Sequence, residues 1–131
     1  MNGKPDKIIF FSAIFVVFVA VAVVVATHAE TKTGYTSPAQ LWEAIEHGKI
    51  ANQTFVTISG IIHDVDDTGM GYSIVYFAGC SNPFVWYVPN THADDYLNKQ
   101  VTVNGYVVYA GELADTLGMG VDGWVVMLTS M

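Results

Sequence analysis

The side chains with the most chemistry to offer are His63, Cys80 and His92. Imidazole and thiolate are ligands for borderline and soft metals. No two of the three stand at a recognised ligand spacing, so no metal site is expected. They are the weak candidates for holding a metal or cofactor, if the fold brings them together. Catalytic signatures are missing from the sequence: there is no G-x-S-x-G, no H-E-x-x-H and no phosphate-cradling glycine loop between a strand and a helix. Gly118-Met119-Gly120-Val121-Asp122-Gly123 has the glycines without that frame. Cys80 has no basic neighbour in sequence to favour its thiolate. As the single cysteine it lacks an internal disulfide partner, and a buried position is expected. The chain is therefore read as a non-enzyme.

Asp64-Val65-Asp66-Asp67-Thr68-Gly69 begins like a calcium loop, but the twelfth position, which must supply a Glu, is Val75. A solvated turn is expected instead. Asn52-Gln53-Thr54 fits the glycosylation acceptor pattern, which makes Asn52 a glycan candidate. Aromatic residues crowd the stretch from Tyr72 to Tyr87, with Tyr76, Phe77, Phe84 and Trp86 between. Strand alternation predicts half of them in a core and half on an outer face, free to stack on a flat ligand or pack on a partner.

The elements that must position these residues follow from the period of the apolar pattern. Ser37-Pro38-Ala39-Gln40 reads as a helix start, with Ser37 as N-cap, Pro38 in the first turn and Gln40 closing a capping box. Leu41, Trp42 and Ile45 form one apolar face, and Gly48 is the stop. From residue 54 the period changes to two. Strands are expected at 54–65, 72–77, 84–88, 100–109 and 124–129, with a helical turn within 91–96 and a glycine-punctuated loop at 111–123. Gly60 and Gly105 fall in mid-strand, where a glycine marks a bulge or bend. A bent first strand would serve two sides of a barrel. The expected fold is mainly β: an N-terminal transmembrane helix, a short helix and a small five-stranded OB-fold-like barrel. The domains are 1–29 as anchor, 30–53 as stalk and short helix, and 54–131 as barrel.

The anchor is read from residues 8–26, IIFFSAIFVVFVAVAVVVA, which carry no charge. Such a helix is about 28 Å long, the thickness of a bilayer's hydrocarbon. Lys4 and Lys7 precede it and place the N-terminus on the cytoplasmic side, with the C-terminal domain extracytoplasmic. The alternative is a cleaved secretory signal, with Thr27-His28-Ala29 before Glu30 as its processing site. Beyond the anchor, three lysines (32, 49 and 99) face eleven acidic residues, a formal charge of −8, and no arginine occurs anywhere. That balance argues against a nucleic-acid partner.

One family shares this order of features. A basic start, one span, Tyr35-Thr36-Ser37-Pro38, then Val56-Thr57-Ile58-Ser59-Gly60, Tyr87-Val88-Pro89, Asp94-Asp95-Tyr96-Leu97 and Gln100-Val101-Thr102-Val103-Asn104-Gly105 together resemble the membrane-anchored haem chaperone of cytochrome c maturation. The likeness covers roughly residues 4–109. It implies an OB-fold domain outside the membrane. That family holds haem through a His or Cys followed by a Tyr in a tail beyond the barrel. No His or Cys follows His92 here, so no haem ligand carries over.

Two functions are expected from these features. The first is a non-enzymatic accessory or structural subunit of a larger membrane or extracellular assembly, with the lipid bilayer and other proteins as partners. Small residues on the anchor (Ser12, Ala13, Ala20, Ala22, Ala26) permit close helix contacts there. The second is a haem- or small-ligand-handling chaperone.

Overall fold

A computed structural model describes residues 37–131. The expected membrane span at 8–26 lies outside the described residues. Among those that are described, no helix is long and apolar enough to cross a membrane.

Helix α1 (Pro38–Glu46) starts at the proline in its first turn and buries Leu41, Trp42, Ala44 and Ile45. The anticipated capping box does not form. Ser37 holds the extended N-cap conformation, but its side chain makes no capping bond. The backbone closes the first turn instead, with Leu41 N–H donating to Ser37 C=O at 3.0 Å. Gly48 ends the helix at φ 70°, a left-handed position that glycine adopts without penalty. Its N–H donates to Ile45 C=O at 3.1 Å.

Five strands form a closed barrel in the order β1-β2-β3-β5-β4. They are β1 (Thr54–Asp67), β2 (Ser73–Phe77), β3 (Phe84–Trp86), β4 (Gln100–Tyr109) and β5 (Trp124–Ser130). The long β1 serves both sides. Its first half, Thr54 to Ile61, pairs antiparallel with β4, and its second half, from Ile62 to Asp67, pairs antiparallel with β2. The irregularity in β1 falls at His63, the extra residue between the Ile62–Phe77 and Asp64–Tyr76 pairs, not at Gly60 as expected. Gly60 answers a different need. A Cβ there would lie 3.0 Å from Phe77 Cδ1 and 3.1 Å from Pro38 Cγ. Gly105 does sit at a register break, opposite β5, and its Cβ would strike the Met127 carbonyl. β3 and β5 run parallel and close the barrel through Val85–Met127 and Trp86–Leu128.

β3 is shorter than the expected 84–88, because Pro89 has no N–H to extend a ladder and the chain turns there. All three of its residues are buried, so simple alternation fails on this strand. The cause is a second core. Inside the barrel lie Val56, Ile58, Phe77, Phe84, Trp86 and Leu128 among others. Outside it, Tyr72, Ile74, Val85, Val125 and Met127 pack with Ala114 and Met119. The segment read from sequence as a loop supplies that cover. It contains a short helix, α2 (Glu112–Thr116), tied down where Gly123 N–H donates to both Asp115 carboxylate oxygens at 2.8 and 2.9 Å. Between β3 and β4 a single 3-10 turn (Ala93–Tyr96) crosses the barrel end.

Candidate functional site

A cleft of about 500 Å³ opens between the β1–β2 turn and the connection leaving β3. Its two walls leave the same end of one ladder. Ser73 at the start of β2 pairs with Trp86 at the end of β3, so the turn before one and the loop after the other lie side by side. Tyr72 and Trp86 border it but are buried, Tyr72 in the outer core and Trp86 in the inner one, and Tyr87 is 43% exposed. Asp67 stands on the turn wall and Asp94 on the 3-10 wall, with His92 beside it. Among the described residues no lysine lines the cleft.

Local hydrogen bonds fix both walls. Asp67 Oδ1 accepts from Gly69 N–H at 3.1 Å, and Thr68 Oγ1 donates to Tyr72 C=O at 2.7 Å. Gly69 takes φ 72°, as this Asp-Thr-Gly turn requires. On the other wall, Pro89 followed by Asn90 at φ 61° is the residue pattern of a type II turn. Trp86 Nε1–H donates to Thr91 Oγ1 at 2.9 Å, and that hydroxyl donates to Val88 C=O at 2.8 Å. The Trp86 ring also stacks on Tyr96, with centroids 5.7 Å apart and tilted by 33°. Burial pushes the Tyr72 phenol up; the Thr68 side-chain hydrogen bond pulls it down, and Asp66 adds to the rise.

Of the three cofactor candidates, only His92 reaches this cleft. His63 is exposed at the β1 irregularity. Cys80 lies in the loop joining the far ends of β2 and β3, half-buried, with Sγ 3.9 Å from Asn82 C=O. Burial raises its thiol pKa, the Asn82 backbone contact opposes this, and Glu46 reinforces it. Among the described residues no group of three or more His, Cys, Asp or Glu is placed to hold a metal ion. The calcium-like Asp64–Gly69 stretch instead makes the end of β1 and one cleft wall. Asn52 is exposed, and its Oδ1 accepts from Tyr109 N–H at 2.8 Å.

Residue types alone did not point to this cleft. Asp67, Thr91 and Asp94 look like ordinary turn residues. The available signal was topological: in a β2–β3 hairpin, the turn before β2 and the loop after β3 must share an end. No family model and no curated protein matches the chain.

Proposed function

We propose that this chain is an extracytoplasmic OB-fold domain, held at a membrane by residues 8–26, that works by binding and not by catalysis. It serves as an accessory subunit of a larger membrane or extracellular assembly. The observation that carries this reading is the strand order β1-β2-β3-β5-β4, with one long strand shared by two neighbours and a helical turn between β3 and β4. That is the arrangement of the OB-fold, in which the β2–β3 face and its adjoining loops bind ligands. The cleft opens at one end of that face, between the β1–β2 turn and the chain leaving β3. A closed barrel offers no free edge for strand addition, so a partner engages side chains. The basic N-terminal flank and uncharged run support the anchor and its orientation.

The test uses the full chain with a C-terminal tag. Protease added to intact cells should remove the barrel, and gentle solubilisation of native membranes should recover a fixed set of partner proteins. Protection until lysis sinks the topology. Recovery of the chain alone, even after cross-linking, sinks the assembly role. A mature chain that begins at Glu30 removes the anchor and leaves the location standing.

One observation favours a second reading, a haem- or small-ligand-handling chaperone related to cytochrome c maturation: His92 borders an aromatic cleft. Haem titration should separate the two. Weak uptake, unaffected by His63→Ala, Cys80→Ala or His92→Ala, is the outcome the first reading expects. A defined axial-ligand spectrum lost in His92→Ala alone promotes the second.

A further inference from the structure

We propose that Asn52 is N-glycosylated and that the barrel carries its glycan on the turn leading into β1. The inference rests on the extracytoplasmic placement proposed above, because the acceptor triplet is used in exported chains. Asn52-Gln53-Thr54 is such a triplet. Inside a core or a paired strand it would be closed to so bulky a group. Here it begins in the turn between α1 and β1, where Ala51 and Asn52 are both exposed. Gln53 takes φ 71°, and Thr54 Oγ1 donates to Ala51 C=O across the turn at 2.7 Å.

The amide of Asn52 divides its two polar atoms. Oδ1 accepts from Tyr109 N–H at 2.8 Å and ties the turn to the end of β4. Nδ2, the atom that takes the sugar, has no hydrogen-bond partner among the described residues. In the reaction Nδ2 bonds to the anomeric carbon of an oligosaccharide carried on a lipid-linked phosphate or pyrophosphate. The bond from that carbon to the phosphate oxygen breaks, the phosphate leaves with the electron pair, and one Nδ2 proton passes to a base of the transferase. Oδ1 stays a carbonyl acceptor throughout, so the bond from Tyr109 N–H survives in the product. The folded barrel therefore accommodates the modified residue without losing a contact it already makes. The neighbouring surface suits a sugar as well. Tyr109 is 52% exposed and stands edge-on to Trp124, with centroids 5.3 Å apart. A sugar on Asn52 starts beside Tyr109, and the C–H face of a pyranose can cover apolar ring surface left in water. The glycan and the cleft belong to opposite ends of β1, since Asp67 ends that strand and borders the cleft.

The test is mass spectrometry of the full chain purified from its native membranes, run beside protease treatment of intact cells. The peptide containing Asn52 should carry added mass in sugar-residue increments. That mass should be lost completely in Asn52→Asp and in Thr54→Ala and retained in Thr54→Ser. Asn52→Asp keeps an oxygen for Tyr109 N–H, and Thr54→Ala keeps Asn52 itself, so both variants should fold, which thermal melts check. A barrel that protease reaches on intact cells, with Asn52 at its unmodified mass, overturns the proposal and leaves the topology standing. Added mass that persists in both variants overturns it too, because the sugar then sits elsewhere. Protection from protease until lysis, together with an unmodified Asn52, overturns this proposal and the topology alike.

Discussion

Gly60 and Gly105 are both mid-strand glycines without a left-handed backbone, so each is required by what lies opposite its missing Cβ. At Gly105 that neighbour is the Met127 carbonyl, which belongs to a paired strand and cannot yield. At Gly60 it is the edge of the Phe77 ring and the Pro38 ring, which can shift by a few tenths of an ångström. Gly105→Ala should therefore cost at the top of the ~1–3 kcal/mol overpacking range or beyond it, and Gly60→Ala distinctly less. Gly60→Val should exceed the ~1 kcal/mol span of strand propensity. Urea midpoints decide the order, and a harmless Gly105→Ala would remove the close approach on which it rests. Cys80 gives a pH-dependent expectation. Burial disfavours its thiolate, so its folded pKa lies above that of an ordinary thiol. Its contribution to stability is complete below that value and is lost as pH rises through the folded pKa. At pH 7.5 iodoacetamide should modify Cys80 more slowly than a free cysteine peptide, and urea should abolish the difference. Equal rates in the native state would show an exposed thiol.

Among the elements, α1 offers the clearest experiment. Trp42 is 2% exposed and packs edge-on against Phe84, with centroids 6.2 Å apart, yet its Nε1–H has no hydrogen-bond partner among the described residues. An unsatisfied buried donor costs about 1–3 kcal/mol. Trp42→Phe removes that donor while keeping an aromatic contact, so stability should stay within about 1 kcal/mol of the parent. Trp42→Ala removes the ring altogether and should cost about 3–5 kcal/mol. If both variants fell equally far in thermal melts, the indole N–H would have to be bonded. The apolar face of α1 was legible because Leu41, Trp42 and Ile45 follow the helical period. α2 was not. Its five residues are shorter than a helix that forms unaided, and it exists because Ala114 docks on the barrel and Asp115 holds Gly123. The same docking explains why Val85, Val125 and Met127 on the outer side of the sheet are buried, which no alternation pattern shows.

Across the whole molecule, charge gives the firmest expectation. OB-type barrels that bind single strands pair stacking aromatics with a basic groove. Here the aromatics line a cleft with two aspartates, and the chain beyond residue 29 stands at −8 without an arginine. Fluorescence anisotropy with a labelled oligothymidine should show no binding at moderate salt, and micromolar, salt-sensitive binding would contradict the electrostatics of the entire domain. The sequence by itself determined the five strands, the helix before them and the acidic balance. Those properties are local or additive: an apolar period is written residue by residue, and charges sum regardless of fold. It also indicated, from Gly60 in mid-strand, that one long strand would be shared, although the irregularity falls at His63. Only the tertiary structure decided where that strand changes partner, that a second core lies outside the barrel, and that His63, Cys80 and His92 stay apart. It alone set Asp67 and Asp94 on the two walls of one cleft. Residues 67 and 94 are brought together by the register Ser73–Trp86, a pairing between strands that no local pattern in either of them specifies.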